Sequence, residues 1–310
     1  MRIACVVLIV LIVLIIISSF VYFKCSESFK NHFFVVIICR INNEHLMMDS
    51  FVPYYLKQGV DRIYLIDDNS TKPYSKIVMQ NPKVEFIKGH LARETGNEMA
   101  DADAVYKRIK NQTKWVISID ADEFIYSKKH NTIKDALQTT FKDADCVFVP
   151  WIMFSFNNLE NDANNVLDDY VYRWNHDKKH PHPNNDKKNR CRYNAIESKA
   201  IFKTNAFMSL KSCHSPTEPT NKQLVYKESV YNTNQKSIFY KDLREKDIKN
   251  GIMFCNHYRF TSLNKIKQKC SKQSFTNYKN DDCVKNCVLS DHPEVFDDYL
   301  KNKNRSSMSV

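Results

Sequence analysis

The sequence predicts an α/β domain with a mixed, mostly parallel sheet and helices on both faces, preceded by one N-terminal transmembrane helix. Strand and helix patterns alternate along the first half of the chain, which is typical of parallel βαβ units. Several of the strands are almost wholly apolar, as expected where both faces of a sheet are covered. Polar residues follow these strands, and ligands of open α/β sheets bind at the carboxyl ends of the strands.

The first segment differs in composition from the rest of the chain. Residues 3–23 carry no formal charge, and residues 6–17 are Val, Leu and Ile alone. A run of this length can cross a bilayer as a helix, whereas a cleaved signal peptide, the alternative, usually has a shorter apolar core. We therefore expect a transmembrane signal-anchor over 1–23, a short stem over 24–31, one folded domain over 32–300 and a frayed tail over 301–310.

Charges near the apolar segment are nearly balanced, with Arg2 on one side and Lys24 and Lys30 on the other, so they do not fix its orientation. A long domain behind a lone N-terminal anchor usually crosses the membrane. We therefore expect a type II single-pass protein with its folded domain in the lumen of the ER or Golgi, or behind an equivalent viral or cell membrane. Sequons at Asn111 and Asn304 are consistent with that location.

The chain has ten cysteines, several of which would pair in an oxidising lumen. Cys270, Cys283 and Cys287 lie close together in the sequence and are the first candidates. A zinc site is the alternative, but this cluster has no second matching pair.

The net charge of +11 comes from lysines spread along the chain. Nucleic-acid binding would explain such a charge, but no nucleic-acid motif accompanies it and the chain begins with a membrane anchor. We therefore expect no nucleic-acid partner, and a basic surface that favours anionic substrates.

The elements of the first half follow from apolar periodicity. Gly59 suits the end of the first helix. The pattern predicts strands over 33–39, 62–66, 84–87 and 115–119, with helices over 45–58, 74–80 and 97–111. Three polar loops, at 40–44, 67–70 and 120–123, then meet at one edge of the sheet.

The second half is less regular. Strands are predicted over 145–153 and 198–203, and an apolar run covers 251–260. Residues 157–192 read as a long polar loop, and the last thirty residues as helical and then frayed.

The run "KWVISIDADEF" places three carboxylates directly after a buried strand. On an extended backbone Asp120 and Asp122 would point the same way and could hold one hard divalent cation, whereas Glu123 would point away from them. The alternative is a strand that ends in a solvated acidic turn.

Several motifs resemble glycosyltransferase family 92 and its relatives in the family 2 clan. The stretch "CRINNEHLMMDSFVPYYLKQGVDRIYLIDDNST" is similar to the opening of those enzymes, and "WVISIDADEF" to their W-x-x-x-x-D-x-D-E-F. Later, "SKAIFKT", "CHSP" and "NHYRFTSLNKIKQK" resemble their lysine strand, histidine turn and N-H-Y helix start. The motifs keep the family's order from about residue 33 to 270, although 151–192 departs from the usual acceptor loop.

The resemblance implies a GT-A (Rossmann-like) fold with a DXD motif and a metal-dependent glycosyltransferase, which the apolar segment at 1–23 would anchor in a membrane. Such an enzyme moves a sugar from a nucleotide-sugar donor, here expected to be a UDP-sugar, to a glycan or glycoprotein hydroxyl with inversion. Mn²⁺ (or Mg²⁺) is the implied cofactor. The implied metal ligands are Asp120, Asp122 and His257, and the implied donor-binding residues are Arg40, Glu44, Asp67, Asp68, Asp120 and Lys199.

Each of these roles has a structural alternative. His257 and His214 could be core histidines rather than ligands, Lys199 could be a solvated lysine, and Asp67 and Asp68 could serve a turn.

An inverting transfer needs a general base on the acceptor side. Glu160 and Asp162 are the first candidates for this catalytic role, and Glu197 and Glu218 are the second choices. Trp151 could stack on a sugar or belong to the core, and with His214 and Glu123 it completes the candidate site. Two other functions stay open: a metal-dependent phosphohydrolase and a catalytically silent carbohydrate-binding protein.

Overall fold

The computed structural model describes residues 33–178, 196–217, 219, 223–240, 242–271 and 280–306. The predicted anchor at 1–23 and stem at 24–31 lie outside the described residues, as does Glu218. Within the described ranges, no helix is both long and apolar enough to cross a membrane.

A ten-stranded mixed sheet forms the centre of the described chain, with a two-stranded sheet beside it. The strands are β1 (Phe33–Ile41), β2 (Arg62–Asp67), β3 (Val84–Lys88), β4 (Thr113–Ser118), β5 (Glu123–Ser127), β6 (Cys146–Met153), β7 (Tyr172–Arg173), β8 (Ile196–Lys203), β9 (Tyr226–Glu228), β10 (Phe239–Tyr240), β11 (Met253–His257) and β12 (Val295–Phe296). In the main sheet the order is β3-β2-β1-β4-β8-β6-β11-β5, with β10 beside β8 and β9 beside β6; β7 pairs with β12.

The first four strands are mutually parallel, as the alternation of strands and helices predicted. Beyond them β8 runs antiparallel to both β4 and β6. Strand β11 is parallel to β6 and antiparallel to β5. The sheet is therefore mixed and mostly parallel on the side that carries the βαβ units.

Helices cover both faces of this sheet. They are α1 (His45–Lys57), α2 (Lys76–Met79), α3 (Leu91–Thr95), α4 (Ala100–Ile109), α5 (Ile133–Gln138), α6 (Val166–Asp169), α7 (Glu245–Asn250), α8 (Leu263–Ser271), α9 (Asn280–Leu289) and α10 (Tyr299–Ser306). Successive residues of β1 point to opposite faces, so Val35 and Ile37 join the core with Phe51 of α1, while Val36 joins a second core with Tyr106 of α4.

Two predicted boundaries need correction. Helix α2 is shorter than the predicted 74–80, and the unpredicted helix α3 precedes α4. The frayed tail predicted for 301–310 is wrong for 301–306, which complete α10. Leu300 is buried there, Lys301 Nζ donates to the Asp168 carbonyl at 2.8 Å, and Lys303 Nζ donates to the carbonyl of His130 at 2.8 Å. Apolar burial and these hydrogen bonds hold the helix against the domain.

The cysteine cluster is confirmed in part. Cys270 at the end of α8 forms a disulfide with Cys283 of α9, and the buried Cys287 beside them is not disulfide-bonded. This bond joins α8, the helix that follows β11 in the chain, to α9.

Candidate active site

An open cleft of about 360 Å³ lies beyond the carboxyl ends of the parallel strands. Arg40 is in β1, Asp68 follows β2, and Asp120 follows β4, so the topology brings three distant polar loops to one place, as the sequence predicted. We call this cavity the acidic cleft. Its lining residues are Arg40, Ile41, Asn42, Glu44, Asp68, Asp120, Ala121, Asp122, His257, Arg259 and Lys269.

Three side chains beside the acidic cleft could hold a metal ion. One ligand atom from each of Asp122, Glu123 and His257 lies within 4.8 Å of the others, and His257 Nε2 is 3.7 Å from Asp122 Oδ1. We call these three residues the cation group. Antiparallel pairing explains their proximity, because the β5–β11 register sets His257 opposite Glu123, and Tyr258 N donates to the Asp122 carbonyl at 2.8 Å.

The backbone at the acids differs from the extended geometry assumed from the sequence. Residues 119–122 leave the strand and turn at 121–122, and Asp120 N donates to Glu123 Oε2 at 2.9 Å. The expectation that Glu123 points away from the metal acids was wrong, because this turn brings its carboxylate into the cation group. Asp120 is not in that group; its Oδ2 accepts from Lys199 Nζ at 2.5 Å.

Lys199 lies beneath the acids rather than in the acidic cleft. Its side chain is fully buried and its ammonium is also 3.2 Å from Glu123 Oε2. Burial alone would lower the pKa of Lys199, but the Glu123 and Asp120 carboxylates overcome this and hold the pKa well above its usual value. The predicted contact with a donor diphosphate is therefore replaced by an internal one, which positions Asp120 and Glu123.

The ionisation of the cation group suits a bound cation. Burial raises the pKa of Glu123 well above its usual value despite Lys199, and Asp120 and Asp122 raise it further. Burial together with Arg259 and Lys199 lowers the pKa of His257 well below its usual value, so the imidazole is neutral and can act as a ligand.

Unsatisfied polar atoms also fit a metal. Among the described residues, no group hydrogen-bonds to the buried Oε1 of Glu123 or the buried Nδ1 of His257. A buried polar atom without a partner costs free energy, and one divalent cation on carboxylate oxygens would compensate the like charges of Glu123 and Asp122. The donor set of two carboxylates and one imidazole therefore fits Mn²⁺ or a similar ion.

Basic side chains face the acids across the acidic cleft. Lys269 Nζ of α8 is 3.3 Å from Asp122 Oδ2 and donates to the Arg259 carbonyl at 2.7 Å. Arg259 lines the same cleft. Sequence reasoning missed both residues. Arg259 could have been found, because it directly follows the N-H-Y segment and therefore lies near His257.

The predicted donor-binding residues separate into two sets. Arg40, Glu44, Asp68 and Asp120 line the acidic cleft. Asp68 pairs with Arg93 and, at 3.5 Å, with Arg40, and Glu44 is 3.3 Å from Lys265 Nζ.

Asp67 serves the turn after β2 and not the acidic cleft. Its Oδ1 accepts from Ser70 N at 3.0 Å and from Ser70 Oγ at 2.5 Å, the Asp-x-x-Ser turn contact that its sequence suggested.

Neither predicted catalytic carboxylate lines the acidic cleft. Asp162 Oδ1 accepts from the hydroxyls of Thr261 and Ser262 at 2.6 and 2.7 Å, which ties its loop to the start of α8. Glu160 is 60% exposed and pairs with Lys267 at 3.5 Å. Both carboxylates therefore contact α8 or the residues just before it, and their catalytic role stays a prediction.

Trp151 connects the cation group with His214. Its ring centroid is 4.4 Å from that of His257 and 5.3 Å from that of His214. His214 is outside the cation group; its Nε2 instead lies 3.5 Å from Glu197 Oε2. The indole is only partly buried, so it is a wall of the site as well as a core residue.

Fold and site together define an α/β enzyme whose acidic cleft could hold a cation at the carboxyl edge of a mostly parallel sheet. The family model for glycosyltransferase family 92 matches residues 32–286. The chain therefore belongs to glycosyltransferase family 92, and it is a glycosyltransferase. No curated protein matches the sequence.

Proposed function

We propose that this protein is a metal-dependent glycosyltransferase that takes its sugar from a nucleotide-sugar, with a UDP-sugar as the expected donor. One observation carries the proposal. The cation group opens into a cleft that Arg40, Arg259 and Lys269 also line. Carboxylates that hold a cation beside basic side chains are suited to a diphosphate, whose negative charge grows as it leaves the sugar.

The residues in and around the cleft would have different roles. Asp122, Glu123 and His257 would hold Mn²⁺ or Mg²⁺, which when bound supplies Lewis-acid stabilisation of the leaving diphosphate. Arg259 and Lys269 would donate hydrogen bonds to the phosphate oxygens. Arg40 and Glu44, which line the cleft at and just after the carboxyl end of β1, would contact the nucleoside. Lys199 and the turn at Asp120 hold the carboxylates in position.

The acceptor is proposed to be a glycan or glycoprotein hydroxyl, and the transfer to invert the anomeric carbon. Membership of family 92 favours glycosyl transfer over a phosphohydrolase or a silent carbohydrate-binding protein. The cation group supports the same choice, because clustered buried acids are costly and are retained where they bind something.

We also propose that residues 1–23 anchor the chain as a type II membrane protein with its enzyme domain in the lumen. The apolar composition of that segment supports the proposal, and so do the exposure of Asn111 in its sequon and the Cys270–Cys283 disulfide. Loss of mass on glycosidase treatment and protection from protease in sealed vesicles would support it. Cleavage by protease without opening the vesicles would contradict it.

Turnover tests the proposed activity directly. The detergent-solubilised full chain is incubated with a panel of nucleotide-sugars, in Mn²⁺ or in a chelator, and free nucleoside diphosphate is measured. We expect release from one donor, abolished by the chelator and by His257→Asn, and unchanged in His90→Asn, whose side chain is 54% exposed. Release from no donor by folded protein, or equal release in chelator, would contradict the proposal.

A further inference from the structure

We propose that His214, supported by Glu197, is the general base that takes the proton from the acceptor hydroxyl. The inference rests on the proposed inverting transfer and adds the group on the acceptor side, which the sequence had assigned to Glu160 or Asp162. It rests on three neighbouring side chains: the hydrogen-bonded imidazole of His214, the carboxylate of Glu197, and the indole of Trp151, which contacts His257 of the cation group.

His214 is held in a fixed orientation. It lies in a loop after β8 that is closed by backbone pairing, in which Thr217 N donates to the Ser209 carbonyl at 2.8 Å. Its Nδ1 lies 3.1 Å from the carbonyl oxygen of Ser198. Because a carbonyl can only accept, Nδ1 carries the hydrogen in this bond, and Nε2 is left with a lone pair that can receive a proton.

Glu197 supplies the matching charge. Its Oε2 is 3.5 Å from His214 Nε2, so a carboxylate lies beside the nitrogen that would receive the proton. The two side chains are 20% and 37% exposed, so both are partly open to solvent. A base oriented by one group and stabilised by another is the arrangement that acid–base catalysis requires.

Trp151 links this pair to the cation group. The indole contacts the rings of both His257 and His214, and Lys199 Nζ is 5.7 Å from its centroid. In an inverting transfer the hydroxyl approaches the anomeric carbon from the side opposite the leaving diphosphate. With a diphosphate at the cation group, a sugar stacked on the partly exposed indole would lie between the leaving group and His214.

The step is balanced without a further reactant. The acceptor oxygen bonds to the anomeric carbon while the bond from that carbon to the diphosphate oxygen breaks, and the electron pair of that bond leaves with the diphosphate. The hydroxyl proton passes to Nε2 of His214 and is then lost to solvent.

The test compares three variants of the full chain with the wild type. His214→Asn keeps an amide N–H for the Ser198 carbonyl but removes the base, Glu197→Gln removes the charge, and His90→Asn is the matched exposed control. Binding of UDP in the presence of Mn²⁺ shows whether the donor site is intact in each variant. The thermal unfolding midpoint shows whether the fold is intact. Nucleoside diphosphate release from the donor that the wild type uses reports turnover, with and without sodium azide.

We expect UDP affinity and thermal midpoint to be unchanged in all three variants. Turnover should fall by roughly 100-fold to 10,000-fold in His214→Asn, which is the usual effect of losing a general base, and less in Glu197→Gln. Azide is already anionic and needs no deprotonation, so it should restore diphosphate release to His214→Asn and yield a glycosyl azide of inverted configuration.

Wild-type turnover in His214→Asn would overturn the proposal, and so would a loss that azide does not restore, since that loss would mark a merely structural role. Loss of UDP binding in the variant would also overturn it. If the wild type itself neither binds nor turns over any donor, the proposed function fails and this inference fails with it, a result that is distinct because it appears before any variant is compared.

Discussion

The imidazole of His257 lies with its Nε2 atom 3.7 Å from Oδ1 of Asp122, although the two residues come from opposite halves of the chain. Pairing of β11 with β5 produces this contact. It turns an acidic turn into a three-residue group that could hold a cation.

Binding of Mn²⁺ should release a proton. Burial raises the pKa of Glu123 well above its usual value, whereas burial lowers the pKa of His257 and leaves the imidazole already neutral. A metal favours the carboxylate of Glu123 over its protonated form, so affinity should rise with pH up to that raised pKa, with up to about one proton released per ion. Calorimetric titration in buffers of different ionisation enthalpy counts that proton. Glu123→Gln should bind more weakly with no release, and wild-type binding without release would contradict this assignment.

Removing the buried ammonium should destabilise the domain. Lys199→Met leaves Asp120 and Glu123 without their counter-charge, and breaking a buried ion pair in this way costs about 3–5 kcal/mol. Chemical unfolding measures the change. Lys203→Met on the same strand, whose Nζ donates to the Lys142 carbonyl, should cost about 1 kcal/mol or less. Equal effects of the two variants would show that Lys199 does not organise the acids.

Arg259→Gln should weaken nucleoside diphosphate binding. Hydrogen bonds to charged groups contribute about 1.5–3 kcal/mol, so the Kd for UDP in Mn²⁺ should rise by roughly 10-fold to 100-fold. Arg108→Gln is the control, because that arginine is 51% exposed and pairs with Glu85. An unchanged Kd for Arg259→Gln would remove this residue from the donor site.

The packed end of the chain should contribute to stability. Leu300 of α10 is 3% exposed, and truncating a buried leucine to alanine costs about 2–5 kcal/mol. Leu289→Ala, at a position 57% exposed, should have little effect. The unfolding midpoints of the two variants are compared with that of the wild type. An unchanged midpoint in Leu300→Ala would support the frayed tail that the sequence predicted.

Local pattern was enough to predict the frame of the fold. The strands β1 and β4 are apolar runs covered on both faces, and the polar residues at their carboxyl ends, including Arg40 and Asp120, meet at one edge as parallel strands require. The short helix α3 was missed because five residues carry little periodicity.

The finer geometry of the site depends on long-range pairing. Glu123 joins His257 through the β5–β11 register, and Lys199 reaches Asp120 from an antiparallel strand that enters the sheet late in the chain. Neither contact can be predicted from the residues that flank it in the sequence. Asp162 shows the reverse case, a promising loop carboxylate whose contacts to Thr261 and Ser262 engage it elsewhere.

The most direct test of the central claim is calorimetric titration of Mn²⁺ into the full chain and into Asp122→Asn, each followed by UDP. The account predicts one Mn²⁺ per wild-type chain, with UDP binding only once the metal is present. In Asp122→Asn, metal affinity should fall by at least about 100-fold, since even supporting residues around a metal cost 10–100-fold, while Asp143→Asn, an exposed acid, should behave as wild type. Equal Mn²⁺ and UDP binding by the wild type and Asp122→Asn would contradict the assignment of this cleft as the metal and donor site.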